Sequence, residues 1–112
     1  MHQLKVRTVY AYKSCFSDFY VRQWLKVRDK ILWTFRIIEY IQNIPEEYLK
    51  HIKGTDGLYE MRIQQGNDIF RIFCFFDDGQ LVVLANGFQK KSQRTPKSEP
   101  EKALRIKKQY EQ

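Results

Sequence analysis

The chain has 112 residues, of which 43% are hydrophobic and 15% aromatic, so we expect one folded domain over 1–112 and exclude a disordered tail. Its formal net charge of +7 favours a polyanionic partner, with nucleic acid ahead of an acidic protein or a membrane surface. Two cysteines are too few for a disulfide framework, and we find no apolar signal-peptide core or membrane span. We therefore expect a cytoplasmic protein.

The sequence of the first half of the chain predicts one strand followed by helices. Residues 4–10 alternate between apolar and polar side chains, which predicts a strand. From Phe16 onward, apolar residues recur every three or four positions, which is typical of a helix. Because Asp29 could cap a second helix, we predict a helical hairpin over about 17–27 and 30–43.

The second half predicts a sheet and a final helix. Ser98 and Glu101 have the spacing of a capping box, which predicts a short basic helix over 98–112. Short turns connect the strands before it, so we expect an antiparallel meander with one face covered by the hairpin, and an α+β class. The predicted strands cover 58–64, 69–76 and 81–88.

Arg71 is the most unusual residue of the chain, because it is the only charge in the apolar strand Ile69–Phe76. A guanidinium there is costly unless it has a partner or lies at the floor of a groove. One interpretation is a structural ion pair, for example with Glu60, or an edge position with the head group in solvent. The other is a cation placed for chemistry, within a segment (44–87) whose net charge is −3.

A second group of cations follows the last predicted strand. Lys90, Lys91, Arg94 and Lys97 could converge on a phosphate, although such runs also occur as solvated basic loops.

A third group lies in the predicted loop before the sheet, where Lys50 and Lys53 flank His51. A histidine near a phosphate could transfer protons, but a single loop histidine often has no such role. Arg62, on the polar face of its strand, is either a surface residue or part of the same site. His2 is set aside because of its terminal position.

Several common catalytic motifs are absent from the sequence. We find no HExxH motif, no Cys/His cluster, no P-loop and no nucleotide-binding glycine fingerprint, so we expect neither a metal nor a cofactor. An enzyme with this sequence would depend on cations, a tyrosine or a histidine. That set suits a phosphoryl reaction stabilised by positive charge.

Three blocks of sequence carry a family resemblance: 53–62 (KGTDGLYEMR), 70–73 (FRIF) and 87–96 (GFQKKSQRTP). In this order and spacing they resemble the RelE/ParE toxin superfamily, and within it the HigB-like, phage-derived branch. The resemblance covers roughly 50–110 closely and the preceding helices loosely. It implies a small α+β fold in which two helices pack on an antiparallel sheet.

The resemblance also implies a function, that of an mRNA endoribonuclease toxin of a type II toxin–antitoxin pair. Such a toxin cleaves ribosome-bound mRNA by attack of a ribose 2′-OH, without a metal. The expected partner is an acidic antitoxin, commonly with a helix-turn-helix, in a toxin–antitoxin hetero-oligomer. The implied catalytic residues are Arg71, Lys90, Lys91 and His51, and the RNA-binding residues are Lys50, Lys53, Arg62, Arg94 and Lys97.

Two other functions remain open at this point. The superfamily includes toxins that inhibit a protein target such as DNA gyrase and cleave no RNA, so resemblance alone does not fix the activity. A nucleic-acid-binding module without catalysis would also account for the +7 charge.

Overall fold

The computed structural model describes residues 4–112, so His2 lies outside the described part of the chain. It confirms the α+β class. Among the described residues, no helix is both long enough and apolar enough to span a bilayer. The elements in chain order are β1 (Thr8–Ala11), α1 (Ser17–Tyr20), α2 (Leu25–Tyr40), β2 (Leu49–His51), β3 (Leu58–Gln65), β4 (Asp68–Asp77), β5 (Leu81–Lys90) and α3 (Ser98–Glu111).

The strands form one five-stranded sheet in the order β1-β5-β4-β3-β2. The predicted meander is confirmed, since β3, β4 and β5 pair antiparallel in sequence. The sheet is nevertheless mixed, because β1 pairs with β5 in parallel. The prediction of a loop before the sheet is wrong, since Lys50 and His51 lie in β2, which pairs with β3.

The predicted helical hairpin is wrong in its boundaries. The short helix α1 has four residues, and α2 then runs through the expected break, with Asp29 exposed inside it. The reason is that the apolar stripe is continuous: Val27, Ile31 and Ile38 are all buried on one face of α2. Packing of this face against the sheet outweighs the local capping potential of Asp29.

The two faces of the sheet carry separate cores. On one face, α1 and α2 pack against residues such as Met61, Ile72 and Leu84. On the other face, α3 packs Ala103 and Ile106 against a smaller cluster. The strand residues of that cluster are Leu58, Phe73 and Ala85.

The start of α3 is held by a tertiary contact, and the predicted capping box is wrong. Ser98 is already helical, and the residue before it, Lys97, makes no side-chain capping bond. Instead, Asn86 Nδ2 donates to the backbone and side-chain oxygens of Glu99, each at 3.2 Å. Pro100 falls in the first turn, where its missing N–H does not cost a helical hydrogen bond.

Candidate functional site

Helix α3 covers only part of its face of the sheet, and the remainder carries the charged residues. Register places Arg62 directly opposite Arg71, and Arg71 directly opposite Phe88. Glu60 lies two residues before Arg62 on β3, and Lys90 lies two residues after Phe88 on β5. We define the open half as Lys50, Glu60, Arg62, Arg71, Phe88 and Lys90, which share this face by strand alternation.

Arg71 is buried (8% exposed) and forms an ion pair with Glu60, its Nε lying 2.7 Å from Glu60 Oε2. The ion-pair interpretation from sequence is therefore confirmed. Its Nη1 donates to the Phe70 carbonyl at 3.1 Å. Neither contact uses Nη2, which leaves one end of the guanidinium fork for a ligand.

A second guanidinium lies beside the first. Burial lowers the pKa of Arg71, Glu60 opposes that shift, and the neighbouring Arg62 lowers the pKa further. Arg62 Nε is itself buried without a hydrogen-bond partner in the described structure. Like charges directly opposite on paired strands are destabilising, so the two arginines carry a cost that a bound anion would remove.

The two arginines line a cleft of about 260 Å³. Glu47, in the segment before β2, adds a second carboxylate, so both positive and negative side chains line the cleft. A phosphate fits this setting, because a guanidinium fork can bind two of its oxygens at once. The cleft is lined by Glu47, Arg62, Ile63, Gln64, Ile69 and Arg71.

The remaining predicted cations divide into two sets. Lys50 lies opposite Glu60, and Lys90 lies opposite Ile69, so both belong to the open half. Lys91, Arg94 and Lys97 are exposed in the segment between β5 and α3. In the described part of the chain, no side-chain hydrogen bond or ion pair connects these three residues to the Arg71 cleft.

His51 and Lys53 are not brought together with Arg71. His51 pairs with Tyr59, so its ring lies on the opposite face of the sheet, 5.2 Å from the Tyr59 ring. Its Nε2 lies 3.1 Å from the Thr55 carbonyl oxygen. Lys53 is exposed in the turn that leads away from the open half.

The sequence pattern does not identify Glu60 and Phe88 as parts of the open half. Glu60 was considered only as an ion-pair partner, and Phe88 was read as the end of a strand. Their shared face with Arg71 depends on pairing between strands, which alternation within one strand does not reveal. Phe88 stacks on Phe73, with ring centres 5.7 Å apart, and so connects the open half to the core under α3.

Tyr110 lies at the other end of this face. Its hydroxyl donates to Asp77 Oδ2 at 2.6 Å, and this hydrogen bond raises the pKa of Tyr110 to about 12. Its ring also contacts Phe75, at 5.4 Å between centres. Tyr110 therefore fastens the end of α3 to β4, away from the two arginines.

The comparison with protein families identifies the family to which the chain belongs. Among the residues described, no group of three or more His, Cys, Asp and Glu side chains could hold a metal ion. No curated protein matches the chain. The family model for phage-derived Gp49-like proteins matches residues 22–108, which include α2, every strand from β2 to β5 and most of α3. The chain therefore belongs to the Gp49-like family of phage-derived proteins (DUF891), a family associated with toxin–antitoxin systems.

Proposed function

We propose that this protein is a HigB-like toxin of the RelE/ParE superfamily that cleaves mRNA on the ribosome. The observation that carries the proposal is the pair of arginines, Arg62 and Arg71, directly opposite each other on the open half. Only one carboxylate, Glu60, is ion-paired with them in the described structure. Lys50 and Lys90 add two further cations on the same face, so the open half carries more positive than negative charge, which fits an RNA phosphate, and the Gp49-like family supports a toxin.

In the proposed reaction, the ribose 2′-oxygen attacks the adjacent phosphorus, and the bond from phosphorus to the 5′-oxygen breaks. The attack adds negative charge to the non-bridging oxygens. Arg71 stabilises that charge without rearranging, because it lies on the central strand β4 and is held by Glu60. Arg62 and Lys90 orient the phosphate from the two neighbouring strands.

The proton of the 2′-OH needs an acceptor within reach. Glu60 provides a carboxylate on the open half, next to Arg71, whereas His51 lies on the other face. We therefore assign proton acceptance to Glu60, and the leaving 5′-oxygen takes a proton from solvent. The products are a 2′,3′-cyclic phosphate and a 5′-hydroxyl.

The partner in this proposal is an acidic antitoxin with a helix-turn-helix, in a toxin–antitoxin hetero-oligomer. A net charge of +7 favours fast, salt-sensitive binding of an acidic protein. Apolar side chains exposed on α2 and in the turn before it, including Leu25, Leu32 and Val21, add a surface of the kind that protein partners cover. Leu32→Asp should weaken the antitoxin complex in co-purification while leaving cleavage intact.

Mapping the ends of cellular mRNA after induced expression tests the function. We expect cuts phased with codons, ends bearing 2′,3′-cyclic phosphate, and cleavage that persists in EDTA once ribosome integrity is controlled. Intact mRNA with a DNA-supercoiling defect would support inhibition of gyrase instead. Products with a 5′-phosphate would contradict the proposed chemistry.

Two variants test the assignment of the proton acceptor. Glu60→Gln keeps the shape of the side chain but removes both the base and the ion pair with Arg71, so we expect cleavage to fall by roughly 10²–10⁴-fold. His51→Ala serves as the matched control, with a titratable group removed from the opposite face and little loss of cleavage expected. Equal losses in both variants would overturn the assignment.

A further inference from the structure

One exposed aromatic ring lies on the face of the sheet opposite the open half. Trp33, on α2, is 44% exposed. Lys30 Nζ lies 4.3 Å from the centre of its ring, and the Tyr48 ring contacts it at 5.6 Å with an interplanar angle of 74°. The indole is therefore held in place from two sides while much of its surface faces solvent.

Trp33 lines a cleft of about 460 Å³ whose chemistry is mixed. Two lysines and one aspartate line the cleft together with the ring, and a glutamine side chain from the end of β3 completes it. An aromatic surface flanked by cations is the combination that binds single-stranded nucleic acid, because bases stack on the ring and phosphates pair with the cations. The lining residues are Lys26, Asp29, Lys30, Trp33 and Gln65.

This cleft and the arginine cleft lie on opposite faces of the sheet, and neighbouring residues of β3 line them. Gln64 lines the arginine cleft, and the next residue, Gln65, lines the tryptophan cleft. Tyr48 connects them as well, since its carbonyl accepts a hydrogen bond from Arg62 N at 2.9 Å while its ring contacts Trp33. A single strand of RNA can therefore pass from the arginines over the edge of the sheet to the indole.

We propose that Trp33 is a stacking site for an unpaired RNA base next to the nucleotide bound at Arg62 and Arg71. On binding, the base takes the ring surface, and the Lys30 ammonium moves to the adjoining phosphate. Stacking on an aromatic ring tolerates any base, so this site adds affinity without base preference. The inference rests on the proposed function, because it requires RNA at the arginines.

Affinity for a short single-stranded 2′-O-methyl oligoribonucleotide, which cannot be cleaved by 2′-OH attack, provides the first test. Trp33→Leu retains an apolar contact with Tyr48 but removes the aromatic surface, and we expect binding to weaken roughly 5- to 150-fold. Trp24→Leu is the matched control: Trp24 is the other tryptophan, 85% exposed, with no ring or cation contact in the described structure.

Fluorescence supplies a readout that a merely structural role would not change. Trp24→Phe leaves Trp33 as the only tryptophan, and we expect the same oligonucleotide to quench its emission. Trp33→Phe leaves only Trp24, whose emission should stay constant.

Three results would overturn the inference. In the first, RNA binds but Trp33 is not quenched and Trp33→Leu binds as tightly as the wild type. In the second, the Trp33→Leu defect appears only in antitoxin binding, which would make this surface a protein-docking site. Absence of any oligonucleotide binding would also reject it, whereas the proposed cleavage is judged separately from the mRNA ends in cells.

Discussion

The two halves of one sheet face differ in what covers them. On β4, Phe73 and Phe75 lie under α3 and are almost completely buried, while Arg71 of the same strand lies beyond the helix. The boundary between them is the contact from Asn86 to Glu99 that anchors the start of α3. Where the helix begins thus decides which side chains of β4 form a core and which remain available to a ligand.

The covered half and the open half also differ in how they contribute to stability. The covered half buries apolar surface, which favours folding. The open half places Arg62 opposite Arg71, which opposes folding. Residues kept at a cost in stability are a common feature of functional sites, so the two halves should respond differently to substitution.

The largest effect on stability is expected in the covered half. Phe75 is 1% exposed, and its ring contacts Tyr110. Phe75→Ala should lower the free energy of unfolding by about 3–5 kcal/mol, because it removes a large buried ring and leaves a cavity. Urea unfolding at constant m-value measures the change. Loss of cleavage at a temperature where the variant is still folded would break the separation between the halves.

Among the substitutions in the open half, Arg71→Ala should cause the largest loss of activity. Loss of a preorganised donor typically reduces the rate by 10²–10³-fold, about 2.7–4 kcal/mol, so we expect growth inhibition to disappear. Arg71→Lys should rescue poorly, since a point charge cannot replace the fork. Circular dichroism and thermal unfolding control for folding. A folded Arg71→Ala protein that still arrests growth would contradict the assignment.

Strands β3, β4 and β5 are predictable because their signals are local, whereas β1 begins at Thr8, four residues after the predicted start at residue 4. Alternating side chains and Gly-containing turns placed β3, β4 and β5 within two residues of their observed bounds. The predicted division of α2 at Asp29 is wrong, because the continuous apolar stripe outweighs a local cap. Strand β2 was missed because its three residues are too few to show a period.

The site was only partly predictable, for a different reason. Arg71 stood out as a charge in an apolar strand, and its ion pair with Glu60 was one of the alternatives considered. Whether His51 faces the same side as Arg71 depends on the register of β2, and a shift of one residue reverses the face. Sequence patterns within single strands do not contain that register.

A smaller effect, of opposite sign, is expected for Arg62→Gln. Removing the charge relieves repulsion with Arg71, so stability should rise by about 0.2–1 kcal/mol. RNA binding should weaken, and the slope of log affinity against log salt should decrease by about one. Lys50→Gln is the matched control, because Lys50 lies opposite Glu60 and its loss should lower stability instead. Equal changes in both variants would show that cross-strand charge does not govern the open half.

The smallest effect is expected at the far end of the covered half, for Tyr110→Phe. Because the hydrogen bond to Asp77 raises the pKa of Tyr110 to about 12, the folded state favours the neutral phenol. The stabilisation is therefore complete below the ordinary tyrosine pKa of about 10 and is lost as the pH rises towards 12. The difference in unfolding free energy between wild type and variant should be constant at neutral pH and shrink over that range, as urea midpoints would show.

The difference in unfolding free energy between wild type and Asp77→Ala should show the same pH dependence. Combining Asp77→Ala with Tyr110→Phe should cause no further loss of stability, since both residues form one hydrogen bond. Cleavage at neutral pH should be unchanged in Tyr110→Phe, because the phenol fastens α3 to β4 at the end of the face away from Arg71. If this variant keeps its stability but loses cleavage, then the hydroxyl takes part in the reaction. In that case the covered and open halves would form a single site.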